Sequence, residues 1–203
     1  MRILKTWAAA SLLALAGTAP ALAAGWDEGV NGDLSNDGLA PSLVTLSVGT
    51  TTVFGATGRA VSGGPVDRDY FTVVVPDGFV LDAMLLQQGV SVVGGSSFLG
   101  LQGGPQVTVS PSATTAAGLL GWTLYSEDNV GSDLLAAMSL ASLGSSGFDV
   151  PLPAGTYSFW VQETGVGTAS YGFAFNVSAV PELSPALGLL GGLALLATVR
   201  RRR

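Results

Sequence analysis

The 203-residue sequence has no cysteine and no histidine. Disulfide staples, thiolate nucleophiles and the common zinc sites are thereby excluded, and so is serine–histidine nucleophilic catalysis. Charged residues make up only 11% of the chain, and basic ones are scarcer still. Six of the eight, Arg2, Lys5, Arg200, Arg201, Arg202 and Arg203, lie in the terminal segments. Between Ala24 and Val180, Arg59 and Arg68 face thirteen acids, which leaves −11. A surface so poor in cations cannot neutralise phosphates, which excludes a nucleic-acid partner. An anionic membrane surface repels it for the same reason.

What the chain does contain begins with its ends. Arg2 and Lys5 give a positive start, Trp7 to Ala16 is apolar, and Ala21-Leu22-Ala23 is a small-x-small cleavage site. That is the order of a secretory signal peptide, residues 1–23, whose removal leaves Ala24 or Gly25 first. The competing reading, an uncleaved membrane helix, needs a longer apolar run.

The C-terminus reads AVPELSPALGLLGGLALLATVRRRR. Its uninterrupted apolar run, Ala186 to Val199, has 14 residues. As a helix it reaches about 21 Å, short of a hydrocarbon core of about 30 Å, so it spans transiently and anchors poorly. Arg200 to Arg203 resist translocation and act as a cytoplasmic stop-transfer cluster. Val180-Pro181-Glu182, the Leu/Gly-rich run and the terminal arginines together resemble the PEP-CTERM sorting signal. Leu183 stands where that family has a second proline. The resemblance covers about the last 24 residues. It implies a Gram-negative, exopolysaccharide-producing source and processing of the tail, residues 181–203, by an exosortase-type enzyme. The alternative is a plain C-terminal membrane anchor.

Residues 24–180 have the period of β-strands. Tyr157, Phe159 and Val161 alternate with Ser158 and Trp160, and Tyr171, Phe173, Phe175 and Val177 share one face. Residues 69–75 and 79–87 are two further strands around the turn Pro76-Asp77-Gly78. Residues 42–49 and 51–57 read as a hairpin at Gly49-Thr50. One short helix is expected near Asp133 to Leu140, capped by Asp133, with Leu134, Leu135 and Met138 inward. Gly/Ser-rich residues 89–104 and 143–147 read as loops. The expectation is an all-β protein: an antiparallel, jelly-roll-like β-sandwich between a signal peptide and a short C-terminal apolar helix. VDRDYFTVVVPDG (66–78) and LPAGTYSFWV (152–161) also resemble strand signatures of the bacterial pre-peptidase C-terminal domain. That resemblance implies a jelly-roll sandwich of the kind appended to secreted proteases and surface proteins.

Three constellations bear on chemistry. Asp33, Ser35 and Asp37, followed by Gly38, mimic the first half of a calcium loop, with Asp27, Glu28, Asp67 and Asp69 as further oxygen sources. The twelfth loop position is Val44 rather than Glu, and an Asx-turn explains the same residues. Asp67 and Asp69 flank Arg68 on one face of a strand start. Such a pair serves acid–base chemistry or simply sits solvated beside Arg59. Trp122, Tyr125 and above all Trp160 are candidates for stacking on a sugar ring, or for core.

The reading as a whole is an exported, non-catalytic β-sandwich with no required cofactor and calcium as the one candidate. Its route passes the inner membrane through the tail and ends at the cell surface or in a biofilm matrix. Its expected partners are an exosortase-type enzyme and extracellular polysaccharide. The alternatives are a carbohydrate-binding module and a calcium-dependent adhesin.

Overall fold

Alternation decides which side chains meet. In the computed structural model, which describes residues 25–180, Phe71, Val73 and Val75 point to one side of their strand and are almost fully buried. Tyr157, Phe159 and Val161 do the same on the neighbouring strand, and Tyr171, Phe173, Phe175 and Val177 on a strand of the opposite sheet. The phenylalanines form the centre. Phe71 stacks on Phe159 at 5.2 Å, and Phe175 meets both edge-on, at 6.1 and 5.3 Å, across the gap between sheets. Each such ring, fully buried, contributes about 1.5–3 kcal/mol of transfer free energy.

The elements in chain order are β1 (Trp26–Asp27), α1 (Glu28–Asn31), β2 (Ser42–Val44), β3 (Gly49–Arg59), β4 (Arg68–Val75), β5 (Phe79–Leu86), β6 (Ser97–Gly103), β7 (Gly121–Tyr125), α2 (Leu134–Met138), β8 (Gly155–Gln162) and β9 (Gly167–Ala179). One sheet has the order β1-β3-β9-β5 and the other β2-β4-β8-β6-β7. The two-sheet sandwich expected from the sequence is therefore present. It is mixed rather than purely antiparallel, because the short edge strands β1 and β2 pair parallel with β3 and β4. Short parallel additions of two and three residues leave no period to read.

Two local expectations are corrected. Residues 42–49 and 51–57 form no hairpin: β2 joins β4 in one sheet and β3 joins β9 in the other. Gly49 (φ +91) and the Thr51 hydroxyl, which accepts from the Ser47 N–H at 2.9 Å, carry the chain between sheets. Within the segment read as a loop, residues 97–103 form β6, an inner strand paired with both β7 and β8. Ser97, Leu99 and Leu101 point inward from it, a period-two signal hidden by the glycines around it. Gly100 fits closely there: a Cβ would lie 3.0 Å from the Phe98 ring, which would have to shift by a few tenths of an ångström.

The helix expectation holds in α2. Asp133 caps it through Oδ1, accepting from Leu135 N–H at 3.0 Å, and Leu134, Leu135 and Met138 are buried. The same oxygen accepts from Met84 N–H at 3.1 Å, which fixes α2 to the edge strand β5. Among the described residues no helix is long and apolar enough to cross a membrane. The signal peptide, the apolar tail and the arginine cluster lie outside the described residues.

Candidate functional site: a buried acidic centre

Strand β4 places an acid where its register calls for a hydrophobe. Asp69 has the inward parity of Phe71, Val73 and Val75, so its carboxyl enters the interior at the start of the strand, with 0% exposure. Arg68, its neighbour, faces the other way. Its guanidinium donates to Gln162 Oε1 and to the Val66 carbonyl, and it leaves Asp69 uncompensated. The buried Tyr171 hydroxyl on β9 donates to Asp69 Oδ2 at 2.6 Å. Asp69 Oδ1 is buried and has no hydrogen-bond partner. An unpaired buried carboxylate oxygen is among the costliest states a side chain can adopt.

Two more acids close on it from the N-terminal segment. Glu28 opens α1, which Asp27 caps by accepting from Gly29 N–H at 2.9 Å. The Glu28 oxygens accept from Leu34 N–H at 3.0 Å and Ala56 N–H at 2.8 Å, so this side chain clips the first turn to β3. Asp33 follows on the exposed side. Oxygens of Glu28, Asp33 and Asp69 all lie within 4.8 Å of one another. Gly55 makes the room: a Cβ there would collide with Tyr171 and stand 3.0 Å from Glu28 Cδ.

Electrostatics records the crowding. Burial pushes Asp69 up to about 9 against the help of Tyr171, and the charges of Glu28, Asp67 and Asp33 push the same way. Burial also raises Glu28 despite its two N–H donors, and burial with the nearby Asp67 raises Asp33. Three carboxylates this close cannot all ionise without a counter-charge. The arrangement either retains a proton on Asp69 or takes up a cation. All-oxygen donors at this spacing suit a hard cation of the calcium type, and each bonded Glu28 oxygen keeps a second lone pair for it.

The sequence-expected loop is divided by the structure. Asp33 belongs to this centre, whereas Ser35 and Asp37 close a local turn. Ser35 Oγ accepts from Asp37 N–H at 3.1 Å, and Asp37 Oδ1 accepts from Leu39 N–H at 2.9 Å. Asp67 and Asp69 form no open acid–base pair, because Asp69 is interior while Asp67 Oδ1 accepts from the Asn36 amide at 2.9 Å. Trp160 is not an open platform: it is 6% exposed, stacked on Tyr70 at 5.9 Å and covered by Phe98 at 4.7 Å. With Val107 these rings form a second small core on the outer face of the five-stranded sheet. Tyr125 belongs to the main core, and Trp122 stacks on Phe98 at 6.1 Å beside a 150 Å³ cleft. Of the sorting motif only Val180 is described, and its N–H donates to the Gly78 carbonyl at 2.8 Å. Pro181, Glu182, Arg200 to Arg203, Ala21 and Ala23 lie outside the described residues. No protein-family model, no curated protein and no solved structure matches this chain.

Proposed function

We propose that this is an exported, non-catalytic binding module of a Gram-negative cell envelope or extracellular matrix, stabilised by one calcium-class cation at Glu28, Asp33 and Asp69. The observation that carries the cation is Asp69 Oδ1, buried without a partner inside a cluster of acids. A divalent ion there answers the orphan oxygen and the mutual repulsion together. It also ties α1 and the loop after it to β4. The export route rests on residues 1–23 and on the PEP-CTERM-like order of residues 180–203. Removal of the tail after about Pro181 by an exosortase-type enzyme releases the module from the inner membrane to the surface or matrix.

The test is calorimetric titration of calcium and magnesium into the full chain, purified in mild non-ionic detergent after chelator treatment. One equivalent of calcium is expected to bind, to raise the melting temperature, and to be lost in both Asp69→Asn and Glu28→Gln. Absence of saturable calcium binding, or its retention in Asp69→Asn, refutes the cation reading.

A further inference from the structure

The turn that supplies Glu28 to the acidic centre ends in a reactive pair. The chain has four asparagines, and only Asn31 is followed by glycine. Glycine has no Cβ to shield its own amide nitrogen, so the Gly32 nitrogen can reach the carbonyl carbon of the Asn31 side chain. Nothing stands within 4 Å of where a Gly32 Cβ would be, so no neighbouring segment crowds that approach. Asn31 is exposed and closes α1, a single turn with no buried residue. Two hydrogen bonds hold the reacting groups apart. Asn31 Oδ1 accepts from Asp27 N–H at 2.9 Å, and Gly32 N–H donates to the Glu28 carbonyl at 3.2 Å.

Both bonds last only as long as the turn. Gly29, β-branched Val30 and Asn31 are poor helix formers, and one turn carries the full cost of nucleation with almost no propagation. Val30 is 81% exposed, so no apolar burial resists unwinding. What holds the turn is the Asp27 cap on Gly29, the Trp26 indole N–H on the Gly32 carbonyl at 2.9 Å, and the Glu28 carboxylate on Leu34 and Ala56. We infer that Asn31 is a self-modification site, whose side-chain amide is converted to an acid through the Gly32 nitrogen whenever α1 unwinds. The Gly32 nitrogen gives its proton to solvent base and bonds to Asn31 Cγ. The Cγ–Nδ2 bond breaks and ammonia leaves. Water then opens the cyclic imide. Cleavage at Cγ gives aspartate, and cleavage at the Asn31 backbone carbonyl gives isoaspartate, whose main chain is one carbon longer. The sum is one water consumed and one ammonia released, with nothing oxidised or reduced. Either product adds a carboxylate between Glu28 and Asp33 in the chain, and isoaspartate also displaces Asp33 relative to Glu28. The modification stands without the cation, and only its effect on calcium rests on the cation reading.

The test holds the full chain, in mild non-ionic detergent with chelator, at pH 8. Peptide mass spectrometry follows each asparagine, and an isoaspartate-specific methyltransferase labels the product. Conversion at Asn31 is expected to run at least tenfold faster than at Asn36, Asn129 or Asn176. Asp27→Ala removes the cap and should speed conversion severalfold, since α1 then opens more often. Gly32→Ala should slow it at least tenfold. Gly32 has φ +87, so an alanine there strains the turn and favours unwinding, and slowing can then come only from the added Cβ. Asn31→Gln, whose ring closure is a larger one, should stop conversion without changing the melting curve. Saturating calcium should slow conversion severalfold, and the converted protein should bind calcium more weakly than the native one. Conversion in chelator that calcium leaves unchanged supports the modification and counts against the cation reading. A rate at Asn31 no faster than at the other three asparagines, or a rate indifferent to both Gly32→Ala and Asp27→Ala, overturns the inference.

Discussion

Asp69 makes stability depend on pH in an unusual direction. Its folded-state pKa, about 9, lies far above the ordinary carboxylate value near 3.8. Between those two values the folded protein holds a proton that the unfolded chain has released. Stability is therefore full below pH 4, falls as pH rises through the window from about 4 to about 9, and levels off above it. Inside the window the slope is about 1.4 kcal/mol per pH unit for one group. From pH 5 to pH 7, both well inside the window, the loss is about 2.7 kcal/mol. For a domain of this size the melting temperature drops by roughly 5–10 °C. Glu28 and Asp33, both raised, add to the fall at its acidic end. The assay is circular-dichroism melting in chelator at pH 5, 6, 7 and 8. Asp69→Asn, neutral at every pH, is expected to flatten the curve and to melt above the native protein at pH 8. Millimolar calcium should restore the native protein at pH 8 and do nothing for Asp69→Asn. A melting temperature that is constant or rises from pH 5 to pH 7 in chelator would refute the reasoning.

Other outcomes follow from the same structure. Phe159→Ala removes a ring packed against Phe71 and Phe175 and is expected to destabilise by about 3–5 kcal/mol in chemical denaturation. Residues 24–180 expressed alone should melt cooperatively with a β-rich circular-dichroism spectrum, and a disordered spectrum would count against an independent domain. The native extracellular protein should have an intact mass that ends near Pro181, and a mass that includes Arg203 would contradict processing of the tail.

The architecture was legible where period two ran over six or more residues, as in Tyr157 to Gln162 and Tyr171 to Val177. It was illegible in β1 and β2, whose two- and three-residue pairings are imposed by neighbours. It was also obscured in β6, where Gly100 and Gly103 read as loop although the Phe98 ring packs closely over the first. The helix at Asp133 was readable because capping is local chemistry. That the same carboxylate also binds Met84 N–H, 49 positions away in sequence, was not.

The acidic centre shows the same limit from the functional side. All three of its acids stood among the candidate oxygen donors, yet adjacency in sequence grouped Asp33 with Ser35 and Asp37. Ser35 and Asp37 are exposed enough to bond the nearest backbone N–H, so they close a turn. Asp33 is drawn to Glu28 and Asp69 by topology: β1 pairs with β3, which puts Glu28 beside Ala56, and β4 enters the opposite sheet with Asp69 turned inward. The one sequence signal for this was the parity of Asp69 with Phe71, Val73 and Val75. A carboxylate at an inward position of a strand must be paired, protonated or bound to a cation. Reading Asp67 and Asp69 as solvated neighbours missed that consequence, because exposure was assigned from residue type rather than from parity. Burying Asp69 costs stability unless something offsets it, and the proposed cation, shared with Glu28 and Asp33, would do so while joining the N-terminal turn to both sheets.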